Sequence, residues 1–557
     1  MRYTSIIQQL KKPSISLALF NLILSVWAGV CLNIAFYKQL ASLTPYQGFP
    51  AILFWLSSAI LITAAYFFIF NLIHWRLNAK LFAVIWIILG GMSAYFVTNL
   101  GIIINADQIQ NMMQTNTAEA FDLMNLNLLI WIFFFIVIPL FFIYGVKIKK
   151  YPLSNTLSKK ILHSALSFIL ILGCVYLYYV DYAAIFRENR ELKGMINPQN
   201  VVASSFSYYK HLQPPKNVII QPYGRDAHQF IQTATHQTPK LMILVLGETA
   251  RAESFQLNGY DRETNPELRK LNIINFSNVS SCGTATAVSV PCLFSGMTRQ
   301  EYTDKVARQR ENLLDIIQYS GYKVTWINNN SGCKEVCNRV ERYEAPKPTR
   351  QKWCDSKGEC KDEILIDSLN AFIQTIPKND DTPRLVVLHQ MGSHGPAYYK
   401  RTTDQFAPFK PTCDTSAIQG CSQQSLKNSY DNSIVYTDHI LASVIKLLNN
   451  QTQFQSALWY LSDHGESTGE SGMYLHGAPY SIAPQQQTKI PMLMWFSEKW
   501  KNNQPTIVRC IDSQKNQTVS QDNLFPTMLS LLNIHTKTLK PTLDLSQQCG
   551  PNYNSRA

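Results

Sequence analysis

Three short apolar runs in the C-terminal half end in residues that bind cations or move protons. LMILVLGE closes on Glu248, RLVVLHQMGSHG on His394, and SALWYLSDHGE on Asp463, His464 and Glu466. Continuous apolar runs of this length suit buried parallel strands. In open parallel sheets, ligands bind beyond the carboxyl ends of the strands. The five side chains are therefore expected to converge although they lie far apart in the chain. Glu248, Asp463 and His464, completed by a fourth oxygen, suit a catalytic Zn²⁺, with Mn²⁺ the alternative because oxygen dominates. His394, Glu466 and His476 (in YLHG) offer a second cation site or a grip on a substrate phosphate. Two cations together would clamp the attacking and leaving oxygens of a phosphoryl displacement. A lone Asp-His pair would read as a strand-end cap; the same character at three strand ends favours a pocket.

Residues 280–292, SSCGTATAVSVPC, add candidate nucleophiles between two cysteines. A threonine hydroxyl is a poor nucleophile at neutral pH, and a bound metal makes its alkoxide accessible. The loop after Cys282 is expected to open a helix, whose free N–H groups favour phosphate oxygens. Thr284, Thr286 and Ser289 all qualify, and spacing leaves the choice open. Without other information, hydroxyls in such a loop would be caps or solvated turn residues.

The elements that must position these groups follow from hydropathy and charge. At 557 residues the chain is expected to hold at least two domains. A mean hydropathy of −0.07 hides a split between an apolar first third and an ordinary soluble remainder. Five apolar stretches, 14–36, 51–73, 81–104, 126–146 and 161–180, are long enough to span a bilayer. The first is too long, and wrongly flanked, for a cleaved signal. Arg2, Lys11 and Lys12, then Arg76 and Lys80, then Lys147, Lys149, Lys150, Lys159 and Lys160 lie on alternate connections. The intervening loops carry Lys38 alone and, between Gly101 and Asn125, no Lys or Arg. The basic sets therefore face the cytoplasm, and five crossings export the C-terminal part. The net charge of +13 fits basic loops near anionic lipid; no basic block, RNA-binding signature or zinc-finger spacing supports nucleic-acid binding.

The expected organisation is a transmembrane domain at 1–180, a bridging amphipathic helix and linker at 181–238, and a catalytic α/β domain at 239–557. Arg187, Arg190 and Lys193 of the bridge are expected near lipid headgroups. Ten of the twelve cysteines fall in the exported part: Cys282, Cys292, Cys333, Cys337, Cys354, Cys360, Cys413, Cys421, Cys510 and Cys549. An even set in an oxidising compartment reads as disulfides. Close neighbours suggest Cys282–Cys292, Cys333–Cys337, Cys354–Cys360 and Cys413–Cys421, leaving Cys510–Cys549, although sequence does not fix connectivity. A zinc site is the weaker reading because no C-x-x-C couple exists. In IIINADQIQNMMQTNTAEAFD, Asn111, Thr115 and Glu119 recur at i, i+4, i+8 and share a helix face. On spacing alone that is a solvated face. His389 reads as a packed strand residue, and Asp431, Asp438 and His439 as hydrogen-bonded or surface residues of a long helix.

VLGETARAESFQLNGY, SSCGTATAVSVPCLFSG, LHQMGSHGPAYYKR and YLSDHGESTGESGMYLHG resemble the lipid A phosphoethanolamine transferases. That group includes the mobile colistin-resistance enzymes and belongs to the alkaline-phosphatase/sulfatase-like superfamily. The resemblance covers nearly the whole chain. It implies that Thr286 is the nucleophile and that Glu248, Asp463, His464 and Thr286 ligate zinc, one ion firmly and a second as an option. It places His394, His476, Glu466 and Lys334 (in SGCKEVC) at a second zinc or the phosphoethanolamine. It makes Asn111, Thr115, Glu119 and Ser331 part of the lipid-donor site. The implied enzyme is a monomer of the bacterial inner membrane with its catalytic domain in the periplasm. It would move phosphoethanolamine from phosphatidylethanolamine to a lipid A phosphate, giving polymyxin resistance. The alternatives are another acceptor (a core sugar or periplasmic glucan), a membrane-anchored phosphatase or sulfatase, and a non-catalytic lipid sensor. A sulfatase would need a Cys/Ser-x-Pro-x-Arg context that this loop lacks.

Overall fold

A computed structural model describes residues 12–549 apart from 45, 116, 213–219, 230–237, 357 and 417. It divides into two compact units, Met1–Ile109 with Asn125–Lys210, and Gln110–Met124 with His211–Ala557. The division at Lys210 puts the helical part of the bridge with the first unit, and the 110–124 segment with the second.

The first unit is built from α1 (Leu17–Val26), α2 (Ile34–Leu43), α3 (Phe49–Ile73) and α4 (Ala79–Leu100). After α5 (Ala106–Gln114) and α6 (Thr117–Asp122), both mostly within the 110–124 stretch, it continues. It resumes with α7 (Leu126–Gly145) and α8 (Leu153–Leu177), then the bridge helices α9 (Tyr179–Glu188) and α10 (Gln199–Leu212). Among the described residues, α3, α4, α7 and α8 are each long and apolar enough to cross a membrane. They expose large apolar side chains such as Phe141 and Leu166 outward while Phe70, Ala83 and Ile87 pack inside with Phe20 of α1. The side chains of Arg187 and Arg190 lie outside the described residues; Lys193 is exposed.

The stretch expected as the first continuous span is instead a bent pair, with α1 running through a π turn to Cys31 and α2 leaving at 54°. A break inside an apolar run frees carbonyls that must find donors. Asn33 supplies them: its Nδ2 donates to the carbonyls of Ala28 at 2.7 Å and Asn197 at 3.0 Å. Its Oδ1 accepts the Asn197 N–H at 2.7 Å. Two asparagines distant in sequence thus hold the kink.

The second unit centres on an eight-stranded sheet. Its strands are β1 (Lys240–Gly247), β2 (Ile274–Ser280), β3 (Lys323–Asn328), β4 (Glu341–Arg342), β5 (Arg384–His389), β6 (Gln455–Ser462), β7 (Lys489–Phe496) and β8 (Thr518–Ser520). The order is β8-β2-β7-β6-β1-β5-β3-β4, and every strand is parallel except β7. The three runs singled out above are β1, β5 and β6, adjacent, parallel and wholly buried. Met242, Leu244 and Leu246 of β1 share a core with Val290, Leu293 and Phe294 of helix α11 (Thr286–Ser295). Helix α12 (Gln423–Asn449) is the long amphipathic element expected from the sequence. On it Asp431 accepts from Tyr260 and Arg262, Asp438 from two backbone N–H groups, and His439 pairs with Glu267. His389 lies buried edge-on to Trp326.

The ten exported cysteines pair as their spacing suggested, in five disulfides.

Candidate active site

Because β1 and β6 are neighbours in register, Gly247 stands opposite Ser462, and the residues that follow both strands meet. The Asp463 N–H donates to the Gly247 carbonyl at 2.9 Å, and Asp463 Oδ1 accepts the N–H groups of Thr249 and His464. The turn is tight. A Cβ on Gly465 would stand 1.9 Å from the Gln486 carbonyl oxygen, so only glycine fits. Across the site, Gly392 has φ +56°, and a Cβ there would meet the Glu248 carbonyl oxygen at 2.5 Å.

This packing brings one atom from each of Glu248, Asp463 and His464 within 4.8 Å of the others. All three are buried. His464 Nδ1 lies 2.8 Å from the Gly465 carbonyl, which can only accept, so Nδ1 carries a proton. Its Nε2 then faces Glu248 Oε1 at 3.3 Å and Asp463 Oδ2 at 3.4 Å. Asp463 Oδ2 is buried without a hydrogen-bond partner. A lone pair and carboxylate oxygens directed at one point are stable only with a cation or a proton between them. Burial, and then the charge of Glu248, push the Asp463 carboxyl up. Burial acts the same way on Glu248, but the hydrogen bond and charge of His464 outweigh it and hold that carboxyl below its ordinary value. Burial alone would lower His464; Asp463 and Glu248 overcome it and raise the imidazole to about 9. Two carboxylates against one imidazolium leave excess negative charge, and this donor set fits a divalent cation.

Of the three loop hydroxyls, two are engaged elsewhere. Thr284 Oγ1 donates to the Ala478 carbonyl at 2.6 Å, and Ser289 Oγ accepts the Gly283 N–H at 2.9 Å. Thr286 is the first residue of α11, and its Oγ1 lies 3.0 and 3.1 Å from the two Glu248 oxygens and 3.3 Å from His464 Nε2. The free N–H groups of this helix start beside the same point, a setting that favours negative phosphoryl oxygens.

The second group gathers next to the first. His476 Nδ1 meets Glu466 Oε2 at 2.9 Å, and the His476 ring lies 4.5 Å from that of His464 and 5.4 Å from that of His394. Burial lowers His394 to about 3, and its Nδ1 has no partner among the described residues. Among those residues, only Glu248, Asp463 and His464 form a triad close enough to share one ion. Lys334 Nζ donates to Ser331 Oγ at 3.0 Å on the loop after β3. The sequence reading missed three supporting residues. Asn330 Nδ2 donates to Glu248 Oε2 at 2.9 Å, Tyr398 donates to Glu466 Oε1 at 2.6 Å, and Gln521 Nε2 donates to the carbonyls of Ser462 and Asp463 at 2.8 Å. On the 110–124 segment, Thr115 Oγ1 donates to the Asn111 carbonyl at 2.8 Å. The Glu119 side chain lies outside the described residues. Gln110, one residue before Asn111, donates to the Ala287 carbonyl beside Thr286 at 3.2 Å.

Comparison with known proteins gives a consistent set of relatives. Residues 240–534 match the family described as Sulfatase, and residues 62–212 the one described as Phosphoethanolamine transferase EptA/EptB. The chain is 40% identical over 545 residues to "Phosphoethanolamine transferase EptA" of Escherichia coli K12, covering 97% of this chain and 98% of the relative. It is 32% identical over 528 residues to "Phosphatidylethanolamine transferase Mcr-1" of Escherichia coli, covering 93% and 95%. The solved "Integral membrane protein lipooligosaccharide phosphoethanolamine transferase A (EptA) from Neisseria meningitidis" superposes with a TM-score of 0.91 at 34% identity, covering 96% of this chain and 99% of that one.

Proposed function

Because the chain belongs to the phosphoethanolamine transferase family, we infer that it transfers phosphoethanolamine to lipid A through a covalent intermediate on Thr286. It does so as an enzyme of the bacterial inner membrane, with the second unit in the periplasm. The observation that carries the reading is the Thr286 hydroxyl, 3.0 Å from Glu248 and 3.3 Å from His464 within a buried three-ligand cluster.

In the first half-reaction, Thr286 Oγ1 attacks the phosphorus of phosphatidylethanolamine. The new Oγ1–P bond forms as the bond to the diacylglycerol oxygen breaks, and that oxygen takes up a proton. In the second, a lipid A phosphate oxygen attacks the same phosphorus and Thr286 is released with its proton restored. Glu248, Asp463, His464 and the Thr286 oxygen would hold zinc, which lowers the proton affinity of the hydroxyl at neutral pH. Glu248 accepts the hydrogen bond of Thr286, and Asn330 fixes the rotamer of Glu248 from behind. The N–H groups opening α11 receive the phosphoryl oxygens. His476 is braced by Glu466, which is braced in turn by Tyr398; with His394 and Lys334 it grips the phosphoethanolamine. Among the described residues no second compact triad forms, which favours this role over a second zinc. Asn111, Thr115, Glu119 and Ser331 bind the donor lipid.

The lipid A phosphate monoester becomes a P–O–P phosphoanhydride whose two phosphate charges are offset by one ammonium group, so lipid A loses anionic charge and binds cationic polymyxins less well. Mass spectrometry of lipid A from cells with and without the protein tests this. Phosphoethanolamine-bearing lipid A should appear with the wild type and not with Thr286→Ala. Modification of a core sugar or glucan, with lipid A unchanged, would sink the acceptor assignment.

A further inference from the structure

The segment 110–124 comes from between two apolar helices in the sequence, yet it groups with the second unit. Two contacts at opposite ends of it tie it to that unit. At one end Gln110 reaches the Ala287 carbonyl, next to Thr286. At the other, Asp122 is 6% exposed and meets two cations of the turn Tyr398–Arg401. Lys400 Nζ donates to Asp122 Oδ1, and Arg401 Nη2 to Asp122 Oδ2 at 3.0 Å. Arg401, itself buried, also pairs with Glu359 and sends its Nε to the His394 carbonyl at 2.9 Å. Glu359 adjoins Cys360 of the Cys354–Cys360 disulfide. Lys361 Nζ donates to the Lys400 and Thr402 carbonyls at 2.6 Å each, so the receiving turn is fixed independently of Asp122.

We propose that Asp122, seated on Lys400 and Arg401, is a positioning residue that latches the 110–124 segment against the catalytic unit and so sets the affinity for the lipid donor. Two acids and two bases balance in the cluster, so Asp122 is matched in a site where an unpaired charge would be costly. Arg401 keeps Glu359 and the His394 carbonyl without Asp122, and Gln110 anchors the other end of the segment at the Ala287 carbonyl. Between these two anchors lie Asn111 and Thr115. The proposal rests on the transferase reading for the identity of the donor, and it concerns binding rather than the bond-making step.

The test uses full-length protein in detergent micelles or vesicles of phosphatidylethanolamine, with a soluble aryl ester of phosphoethanolamine as a second donor. Asp122→Asn should raise the apparent KM for phosphatidylethanolamine about tenfold or more, while kcat/KM for the soluble ester stays within about twofold. Asp122→Glu, which keeps the charge, should recover part of the loss. Lys400→Gln breaks the latch from the other side at a partly exposed residue and should shift KM in the same direction, which keeps the test decisive if Asp122→Asn folds poorly. An unchanged KM for the lipid in both variants overturns the latch, as does an equal fall for both donors. Failure of the wild type to label Thr286 from either donor would instead overturn the transferase reading.

Discussion

Replacing Glu248 by Gln isolates the charge of one proposed zinc ligand while keeping the shape of the site. The amide keeps one acceptor oxygen, enough for the Thr286 hydroxyl at 3.0 Å but not also for Asn330, and it is as large as the group it replaces. What is lost is one of two carboxylate charges within a cluster whose ligand atoms lie within 4.8 Å of each other. A cation among them stands within about 4 Å of that charge, where a unit pair is worth about 4 kcal/mol at an effective dielectric constant of about 20. With about 1.4 kcal/mol per decade, zinc affinity should fall by about a thousandfold or more. The metal-free protein should lose little thermal stability, because Asp463 and His464 remain as a balanced pair and Asn330 keeps the Gln390 carbonyl as acceptor. Zinc affinity is read by competition with a chromogenic chelator, and stability by the Tm of the metal-free protein in detergent. Wild-type zinc affinity in Glu248→Gln would refute the assignment of this carboxylate as a ligand. A steep drop in the metal-free Tm would refute the claim that the cluster carries excess negative charge.

Thr284→Val should lower stability by about 1–2 kcal/mol by stranding the buried Ala478 carbonyl, with Thr286 labelling retained, as denaturant unfolding and peptide mass mapping would report. Loss of labelling in Thr284→Val would reopen the choice of nucleophile. Gly465→Ala forces a Cβ to 1.9 Å from the Gln486 carbonyl oxygen, so zinc binding and activity should both collapse with a stability loss of about 3 kcal/mol or more; a variant that binds zinc normally would contradict the account of the turn. Asp438 gives a pH dependence. Burial raises its carboxyl from 3.8 to about 7 against the pull of two backbone N–H groups. Its folded form therefore binds a proton more tightly than the unfolded chain. The resulting stabilisation is present at low pH and declines as pH rises from about 4 to about 7. Unfolding in denaturant at pH 5 and pH 8 should show this fall, and Asp438→Asn should flatten it; equal slopes in both proteins would remove Asp438 as the cause.

The convergence of Glu248, Asp463 and His464 was legible because apolar runs identify parallel strands, and neighbouring parallel strands end together. The identity of the nucleophile was not legible from spacing. What separates Thr286 from Thr284 and Ser289 is where each hydroxyl points, and the Thr284 partner, Ala478, lies far along the chain. The resemblance points to Thr286, and the place of its hydroxyl beside Glu248 and His464 supports that reading. Asn330, Tyr398 and Gln521 went unseen for a related reason. Each sits on a loop or short turn without a periodic pattern, and each acts through a partner tens of residues away or more. The bend in the first apolar stretch was hidden because the apolar run continues on both sides of Asn33, and the partner that holds it, Asn197, lies far along the chain.

The central claim is that phosphoethanolamine passes through Thr286. Intact-mass and peptide mapping of the purified protein, incubated with phosphatidylethanolamine and no acceptor, tests it most directly. The account predicts one phosphoethanolamine group on the peptide containing Thr286, discharged when lipid A is added and absent from Thr286→Ala. Transfer to lipid A by the Thr286→Ala protein, or a stable adduct on any other residue, would contradict it.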